Sequence, residues 1–201
     1  MSDPPMILGK IFPCDVQMCV LMTLVLGGCA TAVFPPKNPA DPVKVYLTDY
    51  GRHSSLLLPT EHGYEEFAFG DWKFFALGET GTYNALHALV HSPQATLGRR
   101  TIQPGSDQAI IAQLGDCKRL MNFQASKPDV EMLYADLDAR FQRGTPQPPL
   151  LSNYCKLYCV RDSESYWLFH NCNNVTAIWL KRLGCRIRGP AIYSNFRLRD
   201  E

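Results

Sequence analysis

Apolar and polar positions along this chain alternate in its early part and fall into helical spacing later. Val43 to Tyr50 (Val-Lys-Val-Tyr-Leu-Thr-Asp-Tyr) alternates as a strand does. Gly51-Arg52 is a tight turn, and His53 to Pro59 (His-Ser-Ser-Leu-Leu-Leu-Pro) makes a second strand, so a hairpin is expected. Tyr64 to Trp72 alternates through Glu65, Glu66, Phe67, Phe69 and Asp71 and predicts a third strand. Tyr83 to His91 reads as a short helix stopped by Ser92-Pro93, and a strand is expected within Gln108 to Leu114, after the Pro104-Gly105 turn. Asp129 to Gln142 is a clear helix: Val130, Leu133, Tyr134, Leu137 and Phe141 form its apolar stripe, Pro128 sits near its first turn and Gly144 follows its end. A proline-rich loop, Thr145 to Pro149, leads into Asn153 to Val160, which fits no single element. An aromatic strand, Ser165 to Phe169, breaks at His170-Asn171 and runs into a helix with Val175, Ile178, Trp179 and Leu183 on one stripe. Lys181, Arg182 and then Gly184 end that helix, and Arg186 to Asn195 adds a last strand. The pattern predicts an α+β fold in which an antiparallel sheet packs against the helix that begins at Cys172, with further helices added.

The first 29 residues stand apart. Val16 to Val25 is apolar except for Gln17 and Thr23, too short for a confident membrane span and of the length of a signal-peptide core. It ends in Leu26-Gly27-Gly28-Cys29, which resembles the bacterial lipobox. That resemblance implies a diacylated Cys29 as the mature N-terminus, with residues 1–29 as a lipoprotein signal peptide. Ala30 follows where an inner-membrane retention Asp would sit, which points to the periplasmic face of the outer membrane. Lys10 is the only basic residue upstream, and Asp15 borders the apolar run. Ala30 to Pro42, with four prolines and no periodicity, reads as a tether between lipid and domain.

Composition narrows the function. The chain has 201 residues, 46% of them hydrophobic, and a net charge of +1, which suits one globular domain behind an export segment and makes nucleic acid an unfitting partner. Beyond Cys29 there are five cysteines: Cys117, Cys155, Cys159, Cys172 and Cys185. An oxidising compartment would permit disulfides, and an odd count leaves a thiol over, but spacing does not give the pairing. Cys155-x-x-x-Cys159 lacks the second pair of a zinc site. His87 and His91 lie one helical turn apart, but no Glu sits between them and no third ligand is evident. No metal and no cofactor are expected.

The candidate chemistry centres on Cys172. Asn171 is placed to cap the helix, which puts the thiol in the first turn, among unpaired N–H groups at the positive end of the dipole, where a thiolate is favoured. The plainer alternative is a small buried residue. A nucleophilic cysteine needs a base, and His53, beside turn residues at the start of a strand, is the best placed of the five histidines. Glu66 is the choice for a third group orienting the imidazole, with Asp49 and His62 left open; a solvated strand face is the alternative for Glu66. His170 is placed to line the cleft, and Asn171 and Trp72 complete the candidate substrate-binding set.

The order His53-Ser54-Ser55-Leu56 first and Asn171-Cys172 later resembles the circularly permuted papain-like superfamily, which includes permuted NlpC-type peptidases and lecithin–retinol acyltransferase. Over residues 43–198 the chain more closely resembles a bacterial lipoprotein family with a domain of unknown function, sometimes encoded near urease genes. The motifs are His53 to Pro59, Glu66-Phe-Ala-Phe-Gly-Asp71 and Asn171-Cys172-Asn173. The resemblance implies a permuted papain-like domain and a thiol hydrolase or acyltransferase acting on an amide or ester of the cell envelope, either a peptidoglycan peptide or a lipid acyl group. The alternative is a non-catalytic envelope lipoprotein that binds a peptide or lipid in the same cleft.

Overall fold

The computed structural model describes residues 30–81, 90, 92 and 94–200. The expected signal segment with Cys29, and His87 and His91 of the helix expected over Tyr83 to His91, lie outside these residues. Among the described residues the protein is mixed α+β, with a seven-stranded antiparallel sheet, a three-stranded sheet and three α-helices. None of these helices is long and apolar enough to cross a membrane.

The large sheet is built from β2 (Pro42–Asp49), β3 (Ser54–Thr60), β4 (Gly63–Asp71), β5 (Ala95–Ile102), β6 (Arg119–Ser126), β7 (Thr145–Leu151) and β8 (Tyr158–Arg161), in the order β6-β2-β3-β4-β5-β8-β7. The first three strands lie where the alternation placed them. Both faces are covered, which is why Leu56, Leu57 and Leu58 can follow one another and all be buried. Leu56, Leu58, Phe67, Phe69 and Leu97 join a cluster with helices α2 (Lys127–Arg143) and α3 (Cys172–Arg182). Tyr46, Leu57 and Ile102 join another with Ile110 and Leu114 of helix α1 (Asp107–Leu114).

Several expectations are corrected. Gln108 to Leu114 is the helix α1 and not a strand: the Ser106 hydroxyl caps it by accepting from Ala109 N–H, and Ile110 and Leu114, one turn apart, are its buried positions. Ile178 does not belong to the buried stripe of α3, being 46% exposed, while Val175, Trp179 and Leu183 are buried. Thr145 to Pro149 is not a loop but part of β7, and its prolines are tolerated because β7 is an edge strand that hydrogen-bonds on one side only. Ser165 to Phe169 is not a strand: Tyr166 makes an isolated bridge with Ser92, and Trp167 and His170 exchange backbone hydrogen bonds across a tight turn. That turn leaves Phe169 61% exposed and delivers Asn171 to the start of α3.

The tether expected over Ala30 to Pro42 is also part of the fold. Thr31–Phe34 is a strand, β1, lying between β9 (Arg186–Arg188) and β10 (Phe196–Leu198), and its Val33 is fully buried with Phe196 in the main cluster. Four residues with two inward side chains are too short to register as periodicity, and their partners lie more than 150 residues away. Of the last strand expected over Arg186 to Asn195 only Arg186–Arg188 forms, as β9; β10 lies beyond that span, and neither β5 nor β6 has a counterpart in the sequence reading.

Candidate functional site

Helix α3 begins with a full capping box. Asn171 Oδ1 accepts from the backbone N–H groups of Asn173 (2.9 Å) and Asn174 (3.0 Å), and the Asn174 side chain accepts from Asn171 N–H in return. The same Asn171 amide donates to the carbonyls of Leu168 and Ile192, and Asn173 Nδ2 donates to those of Ile192 and Arg52. The Thr176 hydroxyl reaches the Ser54 carbonyl at 3.2 Å. Two loops are thereby clamped to the helix start: the turn that carries His53 and the segment after β9. Asn171, expected to contact substrate, is committed to these bonds and 3% exposed.

Cys172 Sγ sits inside this clamp. The Tyr166 hydroxyl donates to it at 3.8 Å, and the Arg52 carbonyl, the residue before His53, is 3.9 Å away. Burial pushes the thiol up to about 11, against the lowering effects of the Tyr166 hydroxyl and of backbone N–H groups at Asn173 and Ser54. The preference for thiolate expected from the helix start is overridden, because the sulfur has lost the water that would solvate its charge.

His53 lies at the end of the β2–β3 turn. Its ring packs 4.6 Å from that of Phe75, and Nε2 is buried without a hydrogen-bond partner. Burial pushes it down to about 4 from an ordinary 6.5. The native state therefore resists protonation of this imidazole while the unfolded chain does not. The resulting stability is complete above about pH 6.5 and lost as pH falls towards about 4, by about 3 kcal/mol in all. Denaturant midpoints measured across that range should show a shallower acid limb for His53→Gln than for the wild type, and equal limbs would contradict the buried neutral imidazole.

The remaining expected residues are placed elsewhere. Glu66 does not orient His53: its carboxylate accepts from Tyr50, Ser55 and Arg100, in a buried group on the face away from α3. Asp49 pairs with Arg119 at 2.7 Å, and His62 is exposed at the β3–β4 turn, the far end of β3 from His53. Trp72 is 6% exposed with the Arg161 guanidinium over its ring, so it lines no open surface. His170 pairs through Nε2 with Glu164 at 2.6 Å and packs edge-on against Phe69, whose ring Tyr166 also stacks on.

Two features were not anticipated. Tyr166 supplies the hydrogen bond to the sulfur from a residue the sequence marks only as aromatic. A cavity of about 340 Å³ lies beside both clamped loops, lined by Asp49, Gly51, Lys118, Arg119, Tyr193 and Arg197 among others. Gly51, at φ +94°, leaves the room over which Lys118 Nζ lies. Four buried side-chain atoms lack a partner among the described residues, and three of them, His53 Nε2, Ser54 Oγ and Asn173 Oδ1, belong to the two segments whose backbones meet at Cys172; no hydrogen bond joins His53 to the thiol. All five described cysteines are free thiols, and no group of three metal-ligating side chains occurs among the described residues. No family model, curated protein or solved structure matches the chain.

Proposed function

We propose that this chain is a lipid-anchored protein of the bacterial cell envelope, with a permuted papain-like domain in which Cys172 and His53 act as a thiol hydrolase or acyltransferase on an amide or ester. The observation that carries this reading is that three of the four unpartnered buried polar atoms belong to the two segments that meet at one thiol at a capped helix start. Buried polar groups are nearly always paired, and exceptions gather where a fold keeps capacity in reserve for a ligand or a proton.

At rest both groups are neutral, so the chemistry is general-base rather than a preformed ion pair. On substrate binding, the His53 side chain rotates from Phe75 towards Sγ, whose neighbour is already the carbonyl one residue before it. The imidazole takes the thiol proton as sulfur bonds to the carbonyl carbon. The Cys172 N–H and the Tyr166 hydroxyl are the donors for the oxyanion. Collapse breaks the bond to the amine or alcohol, which leaves with the proton from His53, and water or an acceptor then releases the thioester. Lys118 and Arg197 in the adjacent cavity suit an acyl donor that carries an anionic group.

A neutral thiol separates two kinds of labelling. Alkylation by iodoacetamide follows the thiolate fraction and should rise up to about pH 11 alike in wild type and His53→Gln. Acylation of Cys172 by p-nitrophenyl acetate, followed by peptide mass spectrometry, should proceed near pH 7 and fall by about a hundredfold or more in His53→Gln, the usual worth of a positioned base. Equal acylation in the two proteins would remove the catalytic reading. The second reading, an envelope lipoprotein that binds a peptide or lipid without turnover, would then stand. It is favoured by the burial of the thiol and by the commitment of Glu66 to other partners. The anchor is tested separately, by the mass of the N-terminal peptide from bacterial membranes.

A further inference from the structure

A second thiol pair lies away from Cys172. Between β7 and β8 the chain makes a closed loop: Ser152 N–H donates to the Leu157 carbonyl at 2.9 Å and Lys156 N–H to the Ser152 carbonyl at 3.0 Å. The Ser152 hydroxyl accepts from the N–H groups of Tyr154 (3.2 Å) and Cys155 (3.3 Å), and donates to the Phe75 carbonyl at 3.1 Å. Lys156 takes the left-handed conformation, φ +60°, which few residues other than glycine adopt without a structural reason. The reversal it produces turns Cys155 back onto the start of β8 and brings its Sγ to 3.8 Å from that of Cys159.

The two thiols differ. Cys155 is partly exposed and Cys159 is fully buried. The hydrogen bond between them, and the one from Ser152, pull Cys155 down to about 7, while the same contact and burial push Cys159 well above its ordinary range. An accessible, more acidic sulfur in front of a buried, less acidic one is the division of labour of an attacking and a resolving thiol.

We infer that Cys155 and Cys159 form a thiol–disulfide exchange site, independent of Cys172, whose substrate is the disulfide of a small molecule or of a partner protein. Cys155 loses its proton and its sulfur attacks one sulfur of the incoming disulfide. That S–S bond breaks, the first thiolate leaves, and the second half stays bonded to Cys155. Cys159 then loses its proton and attacks the Cys155 sulfur, the second thiolate leaves, and a Cys155–Cys159 bond forms. Two electrons and two protons have passed to the incoming disulfide, which departs as two thiols. The sulfurs need approach by less than about 2 Å to reach bonding distance, a movement that side-chain rotation supplies.

The test uses the full chain, incubated without oxygen with oxidised glutathione, quenched with N-ethylmaleimide in denaturant so that buried thiols also react, and mapped by non-reducing mass spectrometry. The expected product is a peptide lighter by two hydrogens, with Cys155 joined to Cys159 while Cys117, Cys172 and Cys185 are alkylated. In Cys159→Ser, glutathione should accumulate on Cys155; in Cys155→Ser, Cys159 should remain unmodified. Recovery of both wild-type thiols alkylated would overturn the inference. So would a glutathione adduct on wild-type Cys155 that never resolves, or pairing of either sulfur with another cysteine. The wild-type mapping decides the question even if a variant fails to fold.

Discussion

Glu66→Ala is expected to cost about 3–5 kcal/mol of folding free energy, the range for removing one member of a buried ion pair. Glu66 is 1% exposed on β4, and Arg100 on β5 donates Nε to its Oε2 at 2.6 Å. The other oxygen takes the hydroxyls of Tyr50 and Ser55. Arg100 also donates to Tyr50 and to the Leu114 carbonyl at the end of α1. Without Glu66 the guanidinium keeps two weak acceptors and no counter-charge, in a place water cannot reach freely. The double variant Glu66→Ala/Arg100→Ala should be less destabilised than the sum of the single ones, because it leaves no buried charge unpaired. Urea unfolding of the four proteins measures both quantities. A loss below about 1 kcal/mol for Glu66→Ala, or strict additivity, would mean that the network contributes no more to stability than an exposed ion pair.

Trp179→Ala should cost a similar amount, about 3–5 kcal/mol, through the cavity it leaves. Trp179 is 1% exposed and is the largest side chain that α3 buries against the sheet cluster. Ile178, its neighbour in sequence, points to solvent, so Ile178→Ala should stay within about 0.5 kcal/mol. The contrast tests the facing of the helix directly: comparable losses at both positions would mean that the stripe is drawn wrongly. The Trp179 variant should also alkylate faster at Cys172, since a loosened α3 opens the clamp between Arg52 and Ile192.

These two residues mark what the sequence could and could not convey. The facing strands β2, β3 and β4, the stripe of α2 and the cap at Asn171 depend on residues close in sequence, and each was legible. Ile178 passed as apolar stripe because residues three and four apart look equivalent until a neighbouring surface selects among them. Glu66 was assigned to His53 because the two lie on adjacent strands, but its carboxylate is taken by Tyr50, Ser55 and Arg100, and Arg100, the true counter-charge, lies on β5, for which no strand signal was legible in the sequence. At the site itself the cap was readable and the state of the thiol was not. A helix start favours the thiolate by local geometry alone, whereas burial, which opposes it, comes from Tyr166 and from the turn around position 53, brought in by tertiary structure. The proline-bearing β7 and the four-residue β1 failed for a different reason, since their strand character comes from the partner and not from their own composition.

The prolines of β7 have a further consequence for how copies of this protein meet. A sheet that ends in an open, well-paired strand offers its free N–H and C=O groups to any other extended chain. Pro146, Pro148 and Pro149 leave three residues of this edge strand without an N–H to offer. Growth of the sheet from one molecule into the next is therefore obstructed on the β7 side. Strand-to-strand association of this sheet is left to the opposite margin at β6, so copies would join in pairs through β6 rather than in open-ended fibres.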